Sequence, residues 1–309
     1  MPEPRLATID AEYVMKGLAC AYLRVQGDEA AFIETCTSRS APLLLGALAR
    51  EGLSPSQVRW IVVTHVHLDH AGGASALAAA CPQATVIAHP RAARHLIDPA
   101  KLVASATQVY GEAAFAELYG TIDPIDAARV RALEDGDELA LGDATLRFLH
   151  TRGHANHHFV VHDPARDTVY TGDTFGLAYP RLQRAGRFAF PSTSPTDFDA
   201  AAAHESVDRI VALGTGSACL THFGEIDRLD VAASQLHRWL DVSAEALEAA
   251  KELPDAELVP AIRARLDAAM ERALADRGLT PDDEDRQLLT FDLTLNAQGL
   301  AHVVRRARG

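Results

Sequence analysis

Short apolar runs bounded by turn residues recur through the first 224 positions of the chain, and these runs predict β-strands. Residues 22–25 and 31–34 flank the turn Gln26-Gly27-Asp28, a pattern typical of a hairpin. The β-branched run at 60–63 predicts a buried strand. The further predicted strands are residues 85–88, 130–133, 138–141, 145–150, 168–171 and 218–221.

Apolar residues at helical spacing mark the other regular segments. Before residue 224 the predicted helices are residues 43–50, 74–80 and 99–119, the last as one helix or two. After residue 224 the chain is rich in Ala, Leu, Glu and Arg, and Pro254 separates two predicted helices, at 226–251 and 255–277. The tail at 288–304 fits a strand or a helix, and the capping residues 280–283 favour a helix. The pattern therefore predicts a helical extension from residue 225.

The segment from residue 174 to residue 195 has little periodicity, and a predicted helix opens after it at 194–197. It carries three closely spaced arginines among aromatic residues, namely Phe175, Tyr179, Arg181, Arg184, Arg187, Phe188 and Phe190. Irregular loops beside a site commonly bind substrate, and guanidinium groups pair well with carboxylate or phosphate. We interpret the segment as a lid or pocket wall, with Tyr179 and the arginines as substrate-binding residues. An exposed loop or an oligomer contact is the competing interpretation.

Composition and charge narrow the function classes. A net charge of −13 in 309 residues argues against nucleic acid as a partner, because phosphate binding needs a basic surface. Since no run of 18 apolar residues and no basic-apolar leader occurs, we expect neither a membrane span nor a signal peptide. Cys20, Cys36, Cys81 and Cys219 lie far apart, which favours reduced thiols and a cytoplasmic location.

Four potential metal ligands follow the predicted strand at 60–63. His65, His67, Asp69 and His70 lie in the stretch His-Val-His-Leu-Asp-His. Alternate residues of an extended segment point the same way, so His65 and His67 can share one ion. Asp69 and His70 come after the chain bends and can face a second ion. Neutral imidazole and carboxylate suit zinc, and also iron or manganese.

This stretch resembles the H-x-H-x-D-H signature of the metallo-β-lactamase superfamily, and three later motifs continue the resemblance in the family's order. Thr151-Arg152-Gly153-His154 resembles the motif that carries the third histidine, with Arg152 where proline is usual. The pair Gly172-Asp173 matches the family's bridging aspartate, and His222 matches its last histidine. The motifs run from residue 65 to residue 222, so the resemblance covers about three quarters of the chain.

The resemblance implies an α+β fold, the four-layer αββα sandwich, in a catalytic domain at residues 1–224 with the helical extension at 225–309. It implies that one metal is held by His65, His67 and His154, and the other by Asp69, His70 and His222. Asp173 would bridge the two ions, which are most readily zinc, with iron or manganese as alternatives. This ligand set is that of the glyoxalase II-like and lactonase-like branches.

The implied function is hydrolysis of an ester, thioester or lactone carbonyl by a hydroxide that bridges the two metals, with Asp69 and Asp173 holding the proton. The chain contains no G-x-S-x-G motif, so no competing nucleophile is expected. The alternatives are an iron redox protein of the same fold, a phosphodiesterase, or a non-catalytic binding protein. The expected partner is a small-molecule substrate, with an anionic one favoured by the arginines. The oligomeric state is open, a homodimer included.

Several residues near these motifs allow two interpretations. Relatives often carry a histidine at the place of His158 that supports the site without binding metal, while His157 is interpreted as a structural or pocket residue. His89 is expected to be hydrogen-bonded rather than to face the metals. Cys36 stands where relatives often have glycine, and a small buried residue is favoured over a redox or ligand group. His204 is expected to be structural.

Overall fold

The computed structural model describes residues 3–194 and 197–308. Its contacts divide the chain into two compact units. The first unit consists of Met1–His150, His157–Gly172 and Thr215–Asp227, and the second of Thr151–Asn156, Asp173–Gly214 and Arg228–Gly309. This division follows packing within the fold, so the domain boundary at residue 224 stays a prediction.

The first unit contains two six-stranded mixed sheets, with strand orders β1-β2-β3-β4-β5-β6 and β12-β11-β10-β9-β8-β7. The strands are β1 Arg5–Asp10, β2 Cys20–Gln26, β3 Glu29–Ile33, β4 Val58–Val62, β5 Thr85–Ala88, β6 Val130–Ala132, β7 Glu138–Leu141, β8 Ala144–His150, β9 Phe159–Asp163, β10 Thr168–Gly172, β11 Ser217–Leu220 and β12 Gly224–Ile226. In the first sheet the neighbouring pairs β3–β4, β4–β5 and β5–β6 are parallel, and in the second sheet β10–β11 is parallel. All other neighbouring strands are antiparallel.

Helices belong to both units. Those of the first unit are α1 Ala41–Arg50, α2 Leu68–Ala71, α3 Ala74–Ala80, α4 Pro90–Ile97, α5 Ala100–Tyr110 and α6 Glu112–Tyr119. Those of the second unit are α7 Ala200–Val211, α8 Leu229–Ala250, α9 Asp255–Ala275 and α10 Asp283–Arg308. These helices and the two mixed sheets confirm the expected α+β sandwich, and the tail is helical as predicted. Within the described residues, no helix is long and apolar enough to cross a membrane.

The strand period of two explains how the first sheet is buried on both faces. Along β2, Leu23 and its alternate neighbours join a core with α1 and α3, whereas Tyr22 on the opposite face joins a second core with Phe148 and Phe159 of the other sheet. The sheets therefore pack face to face. Because both faces of β2 are covered, its first four residues, 20–23, are apolar without alternation.

One buried ion pair lies within this stack of sheets. Arg24 of β2 and Asp163 of β9 are both fully buried, and Nε donates to Oδ2 across 2.5 Å. The two strands belong to different sheets. The pair is thus a polar cross-link inside an apolar core.

The remaining differences from the predicted elements are local. The strands β1, β9 and β12 and the helix α4 were not predicted. The turn at 134–137 joins β6 of the first sheet to β7 of the second, which local sequence does not specify. α7 begins after Asp199, whose side chain accepts from the Ala202 amide. Of the predicted opening at 194–197, Pro195 and Thr196 lie outside the described residues.

Candidate metal centre

The end of β4 places the histidine-rich stretch. β4 stops at Val62, His65 and His67 follow in non-helical backbone, and α2 carries Asp69 and His70. A parallel strand ends with its side chains at the carboxyl edge of a sheet, where ligands commonly bind. The strand prediction therefore also located the ligands.

The imidazoles of His65 and His67 face each other. His65 Nε2 lies 2.8 Å from His67 Nδ1, and the other ring nitrogen of His65, Nδ1, lies 3.1 Å from Thr64 Oγ1. His65 is fully buried. Two such nitrogens could supply half of the ligands of a tetrahedral metal site.

A second group gathers Asp69, His70 and His222, whose ligand atoms all lie within 4.8 Å of one another. Asp69 Oδ2 is 3.9 Å from His70 Nε2 and 3.4 Å from His222 Nε2. His222 Nδ1 lies 2.7 Å from the Leu18 carbonyl oxygen. A contact of this kind fixes the ring orientation and leaves Nε2 as the ligand atom. Residues far apart in sequence are thus brought together within the first unit.

Glu34 is a candidate site residue that the sequence did not reveal. It is buried at the end of β3, where Oε1 lies 3.1 Å from His70 Nδ1 and accepts from the hydroxyls of Thr64 (2.5 Å) and Thr221 (3.3 Å). Glu34, His65 and His70 also form a possible ligand group. The available signal was positional, since β3 ends beside β4 in the same parallel pairing. A carboxylate behind a ligand histidine orients the ring and raises its basicity.

We expect Glu34→Gln to weaken metal binding about 10- to 100-fold. The amide keeps an acceptor for His70 but loses the negative charge that favours a strongly donating imidazole. Metal affinity is measured by competition with a chromophoric chelator. Glu117→Gln, at an exposed position, is the matched control. Equal metal affinities of the Glu34→Gln and parent proteins would show that the negative charge of Glu34 makes no contribution to metal binding.

The second unit holds the other two predicted ligands next to each other. His154 Nε2 lies 3.4 Å from Asp173 Oδ2, and His154 Nδ1 lies 3.1 Å from the Ser192 carbonyl oxygen. Both side chains are buried, with 3% and 6% exposure. The pattern repeats that of His222, because Nδ1 meets a carbonyl oxygen and Nε2 faces an aspartate.

Two residues beside the candidate ligands, Gly172 and Cys36, have positive φ angles. Gly172, before Asp173, has φ +50°, and an added Cβ would lie 2.5 Å from both His158 Nε2 and Thr64 Oγ1. Only glycine fits there. Cys36 has φ +52° and is fully buried, and burial raises the pKa of its thiol well above the usual range. These features favour the interpretation of Cys36 as a small buried residue in a glycine-like position.

The neighbouring histidines take different positions. His158 is fully buried, with its ring centroid 4.9 Å from that of His65. His157 is half-buried and lies 5.7 Å from the His67 ring. His89 caps α4 by accepting from the Arg91 amide, and burial lowers its pKa to about 4. His89 is thus hydrogen-bonded, in line with the favoured interpretation.

Two of the three predicted substrate-binding arginines, Arg181 and Arg184, have acidic partners in the second unit. Arg181 pairs with Asp282, Glu284 and Asp285. Arg184 also pairs with Asp285, a fully buried carboxylate at the start of α10. Tyr179 is buried, and its hydroxyl donates to Asp292 of α10. Arg187 lines a cavity together with other arginines. These contacts give the segment a packing role, and its role in substrate binding stays a prediction.

The donor chemistry of both units fits a divalent metal. Imidazole nitrogens and carboxylate oxygens are the ligands preferred by zinc and tolerated by iron and manganese. Most of the donors are buried, Asp69 and His67 are half-buried, and within each unit the paired atoms lie 2.8–3.9 Å apart. With two mixed sheets flanked by helices, they define a metallohydrolase fold that carries a candidate metal centre.

The chain belongs to the metallo-beta-lactamase superfamily, whose family model matches residues 18–222, about two thirds of its length. Two relatives agree. The metallo-beta-lactamase fold-containing protein ST1585 of Sulfurisphaera tokodaii is 32% identical over 124 residues, 39% of this chain and 46% of that protein. A probable metallo-hydrolase of Burkholderia pseudomallei, BURPS1710b_2304, is 31% identical over 179 residues, 54% of this chain and 52% of that protein. The matches thus span about half the length of these relatives.

Solved structures share the fold. The metallo-beta-lactamase family protein TTHA1429 of Thermus thermophilus superposes with a TM-score of 0.64 at 21% identity, over 100% of this chain and 94% of that one. A structure described as the peroxy diiron species of the chemotaxis sensor ODP superposes with a TM-score of 0.57 at 12% identity, over 77% of this chain and 91% of that one. At these identities the likeness shows the fold alone.

Proposed function

We propose that the chain is a dinuclear metal-dependent hydrolase that acts on an ester, thioester or lactone carbonyl. The observation that carries the proposal is the presence of two adjacent donor groups in the first unit. His65 and His67 converge at 2.8 Å, and Asp69, His70 and His222 form a separate group within 4.8 Å. The resemblance of the motifs implies that His154 and Asp173 complete the set, with one ion per group and Asp173 as the shared carboxylate.

The proposed roles follow from the hydrogen bonds. When bound, divalent cations lower the pKa of a coordinated water and polarise a carbonyl oxygen. His70, His154 and His222 each have Nδ1 close to a protein oxygen, so each presents Nε2 in a fixed orientation. Asp69 and Asp173 face those nitrogens through one oxygen, Oδ2. Each carboxylate can hold a proton that leaves the attacking water.

The first test of this proposal is the metal content. We expect protein purified without chelator to contain two divalent ions per chain, with zinc favoured by the histidine-rich donor set. Elemental analysis with amino-acid quantification gives the ratio. His67→Ala should lose one ion and keep the other. A ratio that stays near one after supplementation with zinc, iron or manganese would contradict the dinuclear proposal.

An iron-dependent redox reaction is the second candidate. The observation that favours it is the diiron sensor among proteins of the same fold. The imidazole of His67 weighs against this candidate, since the resemblance implies that iron relatives of the flavoprotein kind often have a carboxylate at this position. A visible absorption band from an as-purified iron protein, without esterase activity, would favour the redox reaction over hydrolysis.

The substrate class requires a direct assay. We propose a small molecule, with nucleic acid disfavoured by the net charge of −13. A panel of esters, thioesters, lactones and phosphodiesters on metal-loaded protein tests this. Hydrolysis confined to phosphodiesters would replace the carbonyl proposal, and no turnover would favour a binding protein. Oligomeric state, a homodimer included, is measured by light scattering on the same sample.

The arginine hypothesis has its own test. Arg181 and Arg184 already pair with carboxylates of α10. We therefore expect Arg181→Ala and Arg184→Ala to change KM by equal, small factors for an anionic substrate and for its neutral analogue. Arg265→Ala, an exposed position on α9, is the control. A KM raised about tenfold or more for the anionic substrate alone would restore the role in substrate recognition.

A further inference from the structure

A cavity of about 530 Å³ lies within the second unit, between α8, α9 and the loop at 185–188. Its lining is strongly basic, while the whole chain carries a net charge of −13. Asp276 is the acidic residue among the described lining residues. The arginines of the lining are Arg187, Arg228, Arg238, Arg272 and Arg277.

Within the part of the chain that the structure describes, four of the five lining arginines form no ion pair with a carboxylate. Among the described residues, Arg228, Arg238, Arg272 and Arg277 have no carboxylate within the 4.0 Å that defines an ion pair. Elsewhere in the same unit ion pairs are formed by Arg181, Arg184, Arg263, Arg305 and Arg308. The cavity therefore brings together five guanidinium groups, with Asp276 as the carboxylate of its lining.

Arginines that line the cavity repel one another electrostatically. The Arg277 guanidinium lies 5.2 Å from the centroid of the Phe188 ring and is half-buried. Burial lowers the pKa of Arg277, and repulsion from Arg238 lowers it further. A bound anion would relieve this repulsion, since opposite charges attract most strongly where water is partly excluded.

The cavity also has an apolar floor that is held in place. Phe188 and Trp239 line it and are 1% and 7% exposed. Gln235 of α8 fixes the loop by donating to the Arg187 carbonyl oxygen and accepting from the Ala189 amide. The Arg277 guanidinium lies over the Phe188 ring, and a flat ring of a ligand can stack on a guanidinium face of this kind.

The cavity is distinct from the one beside His154 and Asp173. That smaller cavity is lined by the apolar face of α8 that carries Leu236 and Leu240, and the two linings share no residue. Helix α8 thus presents Leu236 to the ligand pair and Arg238 to the basic cavity. An anion in the basic cavity would not contact His154 or Asp173 through the same wall.

We propose that this cavity is a binding site for a polyphosphorylated small molecule of the nucleoside diphosphate type. Guanidinium groups bind phosphate oxygens in pairs, so several arginines suit two adjacent phosphates. A volume of about 530 Å³ is in the range of small-molecule pockets. The planar guanidinium of Arg277, above the Phe188 ring, suits stacking of the base. Inorganic pyrophosphate shares the phosphate chemistry, and the experiment separates the two sources.

The test uses isothermal titration calorimetry of the metal-loaded full chain with ADP, AMP, adenosine and inorganic pyrophosphate. We expect ADP to bind at least tenfold more tightly than AMP, and adenosine not to bind. The double variant Arg238→Ala/Arg272→Ala should weaken ADP at least tenfold. The control Arg265→Ala/Arg286→Ala removes two exposed arginines of the same unit outside the cavity lining, and it should bind like the parent.

Further titrations distinguish a nucleotide from a free polyphosphate, and the basic cavity from the candidate metal centre. Tighter binding of ADP than of pyrophosphate supports a nucleotide, whereas equal affinities support a free polyphosphate in the same arginine site. Because phosphates also bind metals, His67→Ala is titrated in parallel and should keep the ADP affinity. Loss of binding in His67→Ala with retention in the arginine double variant would overturn the proposal. So would equal losses in the double variant and its control, or no saturable binding of ADP or pyrophosphate by the parent.

Discussion

Asp173→Asn should reduce kcat/KM by about 10²- to 10⁴-fold, the range found when a proton-handling group is removed. Asp173 is 6% exposed, and its Oδ2 faces His154 Nε2 at 3.4 Å. The amide is nearly the same size but carries no charge and cannot accept the proton of an attacking water. It is also a poorer ligand for a divalent ion, so the proposed bridge between two ions would weaken at both ends.

The measurement is kcat/KM with the best substrate from the panel, at saturating metal, with bound metal quantified in the same sample. Asp230→Asn, an exposed position on α8, is the control for a lost surface charge. An Asp173→Asn protein that binds both ions and turns over at the parent rate would refute the role given to this carboxylate. Loss of bound metal together with activity would show that the defect of the variant lies in metal binding.

The second large effect concerns stability. Asp163→Ala should lower the free energy of unfolding by about 3–5 kcal/mol, because it leaves the buried Arg24 guanidinium without its counter-ion. Both side chains are fully buried within the stack of the two sheets. Even in the parent, Arg24 Nη2 and Asp163 Oδ1 are buried without a hydrogen-bond partner among the described residues. The pair is therefore incompletely hydrogen-bonded, since Arg24 Nε donates to Asp163 Oδ2 and Arg24 Nη1 to the Val25 carbonyl oxygen.

Urea denaturation of parent and variant proteins gives the loss. The double variant Arg24→Met/Asp163→Leu serves as the comparison, since replacing a buried pair by apolar groups of similar size is often neutral or stabilising. We expect it to recover most of the stability lost in Asp163→Ala. A loss below about 1 kcal/mol in the single variant would mean that water reaches the guanidinium, so that the pair behaves like an exposed one.

The sequence alone determined the elements that carry the ligands. The β-branched run before His65, the spacing His-x-His-x-Asp-His, and the helical period after residue 224 are local patterns. Each depends on a few neighbouring residues, so periodicity is enough to predict a strand, a turn with ligands and a set of helices. The order of the motifs identified the family, which the match to residues 18–222 confirms.

The tertiary structure decided what lies behind and beside those ligands. Glu34 becomes a partner of His70 only because β3 and β4 pair in parallel. Arg181 and Arg184, close in sequence to Asp173, are instead paired with residues far along the chain, at the start of α10. The basic cavity arises from arginines of one loop and two helices that no local pattern groups together. Local sequence is enough to predict backbone conformation. Contacts between residues far apart in sequence depend on tertiary packing, and packing depends on the whole chain at once.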